Sequence, residues 1–120
     1  MKYMMIIYGN KELWDSIPPQ EWATQIAAFD AFNAKFFATG ELLGGYGVAD
    51  AARAKTLRVR DGMPTVTDGP FLESKESLAS WWLLDVDGER RALEIAAELP
   101  AAASREVELW PILHEATPTA

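Results

Sequence analysis

The chain has no cysteine and a single histidine, His114. The first absence excludes disulfides, a thiolate nucleophile and any cysteine-bound zinc. The second leaves no partner for a histidine-based metal site, since only Glu115 stands beside His114. Basic residues are also few: 11 Lys and Arg against 18 Asp and Glu, a net charge of −7. They are scattered, whereas a phosphate backbone needs them clustered. Nucleic acid and anionic membranes are therefore not expected partners. No apolar run reaches the roughly 18 residues of a membrane span. Met1–Tyr8 is apolar but too short for a signal peptide and lacks a cleavage site. This reads as a cytoplasmic protein whose first strand starts at Met1. Phosphate loops, dinucleotide fingerprints, nucleophile elbows and His-Glu-x-x-His are all missing, so no cofactor is expected.

What is present suffices for one domain: 120 residues, of which 49% are hydrophobic. Lys2–Tyr8 reads as a strand that is apolar on both faces. Ser16-Ile17-Pro18-Pro19 opens a long helix that runs to Thr39 and ends at Gly40. Its stripe is Trp22, Ile26, Phe29, Phe36 and Phe37, with Asn33 in the middle. Glu41–Ala49 reads as a strand with a bulge or close approach at Gly44-Gly45. A linker over 50–54 leads to Lys55–Arg60, then to Asp61-Gly62, a strong hairpin signal, and to the return strand Thr65–Thr67. Leu78–Val86 is the longest strand. Asp87 is expected to cap a second helix to Leu99, with Ala92, Ile95, Ala96 and Leu99 inward. Glu106–Leu113 is the last strand, and 116–120 a frayed tail.

The order β-α-β-(β-hairpin)-β-α-β predicts an α+β, ferredoxin-like fold, with two helices on one face of an antiparallel sheet. The other face is then a problem. The first and the longest strands are apolar on both sides. About five large side chains left in water would forfeit roughly 10 kcal/mol, comparable to the stability of a whole domain. No segment remains to cover them, so a second copy is expected there, as a homodimer.

The densest group of rigid and polar residues is Thr65-Val66-Thr67-Asp68-Gly69-Pro70-Phe71, with Glu73, Lys75 and Glu76 close behind. Asp68 is the best acid–base candidate, because the turn at Gly69 and Pro70 would dictate its position. It could equally cap that turn as an Asx residue. Phe71 is expected to anchor in the core or to line a pocket. Glu73, Lys75 and Glu76 form either a charged lip or a solvated loop. Arg58 or Arg60 could hold Asp68 or an anionic ligand, or stand as cross-strand surface residues. Tyr8 could donate to a ligand or pack in the core. Asn33 needs either a structural partner or a ligand. Trp81 and Trp82 must face opposite sides.

Met1–Gly9, Val66–Phe71 followed by Glu73-Ser74-Lys75-Glu76, Trp81–Val86, and Val107-Glu108 together resemble the DGPF-motif branch of the YCII-related proteins. The likeness extends over residues 1–115. It implies a dimeric α/β barrel of ferredoxin-like subunits with a cleft in the barrel or at the interface. It implies no established reaction, although small-molecule enzymes using an Asp and a His are attributed to the wider superfamily; the first reading is then a small organic ligand and lyase or isomerase chemistry with Asp68 as the base. The alternative it offers is a non-catalytic regulatory protein linked to an extracytoplasmic-function sigma factor. Three positions depart from the family pattern. His114 lies beyond the last strand, Tyr46 replaces a carboxylate after Gly44-Gly45, and Trp110 replaces an arginine before Pro111.

Overall fold

A computed structural model describes residues 1–71 and 76–118. Six strands and three α-helices follow the order β1 (Lys2–Gly9), α1 (Lys11–Asp15), α2 (Pro19–Thr39), β2 (Leu42–Gly47), β3 (Lys55–Arg60), β4 (Met63–Asp68), β5 (Ser77–Asp85), α3 (Glu89–Glu98) and β6 (Glu108–Pro111). Short 3₁₀ turns occupy Ala51–Arg53 and Pro100–Ala103. No helix among the described residues is long and apolar enough to cross a membrane.

The main sheet is antiparallel in the order β2-β5-β1-β6. With the β3–β4 hairpin set aside, this mixed α+β arrangement is compatible with a ferredoxin-like fold. Tyr3, Met5 and Ile7 of β1, Leu42 of β2, and Trp82 and Leu84 of β5 lie under the helices. Phe32 and Phe36 of α2 and Ala92, Ile95 and Ala96 of α3 close this core from above. Trp82 is 4% exposed, and its indole donates to Asn33 Oδ1 at 3.0 Å, so the amide in the helix stripe has a structural partner. Trp81 points to the opposite face and lies against Tyr46, with ring centroids 4.5 Å apart.

Several local expectations hold. Pro19 starts α2, and Gly40 ends it at φ 81°. Asp61 and Gly62 take φ of 52° and 76°, the two positive values of a type I′ hairpin. The register between β2 and β5 shifts between Leu42 and Gly44.

Others are corrected. Residues 11–15, to which the sequence assigned no element, form a helix: the Asn10 side chain accepts from Leu13 N at 2.7 Å and caps it. One turn and a half is too short for a periodic signal. Helix α3 is preceded by Gly88, and no side chain caps it, so Asp87 does not play that part. Ile26 and Phe37 are 55% and 50% exposed. The buried residues of α2 are Phe32 and Phe36, which face away from both of them. Phe71 is 70% exposed and anchors nothing in the core; the Arg58 guanidinium lies 5.7 Å from its ring centroid.

The hairpin is the feature that gives the molecule its shape. Among the described residues, strands β3 and β4 pair only with each other and form a two-stranded arm apart from the main sheet. The radius of gyration is 16.8 Å, against about 14 Å for a compact chain of this length. One face of the arm carries Leu57, Val59, Pro64 and Val66, and all four are exposed. The other carries Thr56, Arg58, Arg60, Thr65 and Thr67.

Candidate functional site

A cavity of about 840 Å³ lies at one end of the sheet, under α1 and the first half of α2. Residue size explains it. Toward the C-terminal half of α2, the floor is built from Trp82 and Leu84, which fill the layer. Toward its N-terminal half, β5 contributes Ser77, Ala79 and Ser80, the end of β2 contributes Gly47, and the chain after it contributes Ala49 and Ala51. A bulge between Ile7 and Tyr8 shifts the β1–β5 pairing at this same place. Small side chains on a displaced strand leave the volume open.

Aromatic rings form the wall. Trp14 of α1 and Trp22 of α2 stand with centroids 6.3 Å apart and tilted by 51°. Phe29 lies deeper and stacks on Trp82 at 6.0 Å. Trp14 also crosses the end of β1, where Gly9 has no side chain to obstruct it. Gln25, Ser80 and Arg105 supply polar atoms around this apolar volume. The Arg105 guanidinium sits 5.0 Å from the Trp14 centroid and donates from Nη1 to the carbonyl oxygen of Tyr8 at 2.7 Å. Asp50 also lines the cavity, and its carboxylate accepts from Ala52 N at 3.1 Å. A cavity of this volume, mostly apolar with a few placed polar groups, is the usual form of a small-molecule site.

The residues singled out from the sequence fall elsewhere. Asp68 is at the base of the arm, its side chain 82% exposed and paired with Lys55. Gly69, with φ 89°, donates its N–H to Ala54 O at 2.8 Å and accepts from Thr56 Oγ1 at 2.7 Å. Arg58, Asp68, Pro70 and Phe71 share a shallower groove of about 510 Å³ on the arm with Arg60 and the threonines of β3 and β4. Tyr8 does not line the cavity; its backbone carbonyl accepts from Arg105, which does. Its phenol projects to the open face of the sheet and donates to Glu108 Oε1 at 2.9 Å. That hydrogen bond, with partial burial, raises the phenol pKa. Asn33 is occupied by Trp82. Glu73 and Lys75 lie outside the described residues.

Sequence reasoning passed over Trp14, Gln25, Ser80 and Arg105. Trp14 gave one available signal: a bulky ring two residues short of a Ser-Ile-Pro-Pro break, in a segment too polar to be a strand. Arg105 offered none. Among the described residues, no three His, Asp or Glu side chains come together as a metal site would require.

Residues 1–115 match the model of the YCII-related domain. The chain is also 29% identical over 111 residues to an uncharacterised protein of Rhizobium meliloti (strain 1021), covering 89% of this chain and 90% of that protein.

Proposed function

The chain belongs to the YCII-related domain family, and on that premise we propose that it binds a small organic molecule in the cavity beneath α1 and α2. The observation that carries this reading is the pairing of an unfilled volume of about 840 Å³ with a wall of Trp14, Trp22 and Phe29 and a few converging polar groups. Binding there would remove the exposed ring faces from water at roughly 25 cal/mol per Å² of apolar surface. Asp68-Gly69-Pro70-Phe71 supports placing the chain in the DGPF-motif branch.

The reading includes a homodimer. On the sheet face away from the helices, Met4, Tyr8, Trp81 and Leu83 are partly exposed, and Tyr46 and Trp110 are more than half exposed. The arm presents a second unpaired apolar surface through Leu57 and Val66. A lone two-stranded hairpin is marginal in water, so a second copy is the economical cover for both. Asp68 enters acid–base chemistry in the cavity only if the arm of that second copy brings it there.

The test is a thermal-shift screen of small organic acids, amides and alcohols against the wild-type chain and Trp14→Ala. A compound that raises the melting temperature of the first and not the second supports the cavity. Hits that act equally on both place binding elsewhere and end this reading.

A further inference from the structure

We infer that the ligand of this cavity is an aromatic anion, a carboxylate or equivalent oxyanion on a planar ring, and that Arg105 is the residue that holds its charge. The inference rests on the cavity reading and adds the chemical class.

Three observations lead to it. First, Arg105 lines the cavity as a partly buried side chain, and among the described residues it makes no ion pair. Its counterpart Arg91 shows how this chain otherwise treats a partly buried guanidinium, with Glu41 and Glu94 both engaged. A charge withdrawn from water needs compensation. The Tyr8 carbonyl supplies one partial charge at 2.7 Å. Asp50, the carboxylate that shares the lining, is turned to its own backbone at Ala52. Of the five N–H donors of a guanidinium, one is used by Tyr8, which leaves a fork suited to two carboxylate oxygens.

Second, Arg105 is held in place before any ligand arrives. The Trp14 ring, 5.0 Å from the guanidinium carbon, and the hydrogen bond to the Tyr8 carbonyl restrain it from two sides. A lysine in the same place could keep both contacts but would present a point charge in place of a planar fork. Third, the surface beside the guanidinium is aromatic. Trp14 and Trp22 line the same cavity as the guanidinium, and the small residues Ala79 and Ser80 leave room there for a flat ring.

The experiment is calorimetric titration with matched acids and amides of one, two and three rings: benzoate and benzamide, indole-3-acetate and indole-3-acetamide, 9-anthracenecarboxylate and its amide. At least one acid is expected to bind about 10- to 100-fold more tightly than its amide, the range of a charge-assisted hydrogen bond. That preference disappears in Arg105→Gln and survives in reduced form in Arg105→Lys. Folding of both variants is checked by circular dichroism. Should Arg105→Gln not fold, the wild-type acid affinity must fall with added salt while amide affinity does not. Amides that bind as well as their acids overturn the anion assignment and leave the cavity reading standing. If no member of either series binds, both are overturned.

Discussion

The indole of Trp14 occupies the space that a side chain on Gly9 would need: a Cβ at Gly9 would lie 2.1 Å from Trp14 Cζ2. The end of β1 and the cavity wall are thereby one construction. Gly9→Ala must push the ring aside. We expect it to cost about 1 kcal/mol, the low end for overpacking, because the ring is partly exposed and can swing. Ligand affinity should fall with it. Since Trp14→Ala removes the obstruction, the double variant Gly9→Ala, Trp14→Ala should be no less stable than Trp14→Ala alone. Urea unfolding of the four proteins checks the non-additivity; additive losses would show that the two sites do not interact.

Glu41 and Arg91 predict a pH dependence. Arg91 donates from Nε and Nη2 to the two Glu41 oxygens at 2.6 and 2.8 Å. These bonds hold the carboxyl at about 2, below its ordinary 4.5. A folded-state pKa below the unfolded one means stability that is fully present above about 4.5 and is lost as the pH falls toward 2. Glu41→Gln is expected to lose about 1–2 kcal/mol at neutral pH. The gap from wild type should close as both are unfolded at progressively lower pH. A gap that stays constant down to the acid end would assign the loss to packing.

Asn33 is predicted to matter for folding and not for the ligand. Asn33→Leu leaves the Trp82 indole N–H without its partner in a site only 4% exposed. The expected cost is about 1–3 kcal/mol. Affinity for any cavity ligand, measured on the folded fraction, should be unchanged. A variant that folds normally but no longer binds would return Asn33 to the site.

The homodimer is tested on the open face. Leu83→Lys places an ammonium among Met4, Trp81 and Tyr46. Sedimentation should report a dimer for the wild type and a monomer for the variant. A wild-type monomer at micromolar concentration would remove the dimer from the proposal.

Asp68 stands in an exposed ion pair with Lys55. Pairs of this kind contribute at most about 1 kcal/mol, so Asp68→Asn should unfold almost as the wild type does. Once a cavity ligand is known, the same variant decides the chemistry. Lost turnover with retained binding would make Asp68 the base, delivered by a second copy. Retained turnover would exclude it.

The candidate site was less legible than the frame around it. The Asp68–Phe71 stretch drew notice because rigid turn residues and charges crowd there, and their local conformation is as expected, with Gly69 at φ 89°. Such crowding reports how sharply a chain turns. It does not report which volume lies next to the turn. The cavity is bounded by residues near 9–25, 47–51, 77–80 and 105, and most of its floor is Gly, Ala and Ser. Small residues have no pattern of their own to read.

From the sequence alone follow the element order apart from α1, the type I′ turn at Asp61-Gly62, the limits of α2 at Pro19 and Gly40, and two strands apolar on both faces. Each rests on a local property: side-chain period, a fixed or positive φ, a missing N–H. Tertiary structure alone decided that the hairpin stands off the sheet as an arm, that Tyr8 and Asn33 are turned to Glu108 and Trp82, and that Arg105 meets Trp14 from 91 positions away. These depend on how much volume each layer leaves unfilled, and that quantity exists only once the layers are packed.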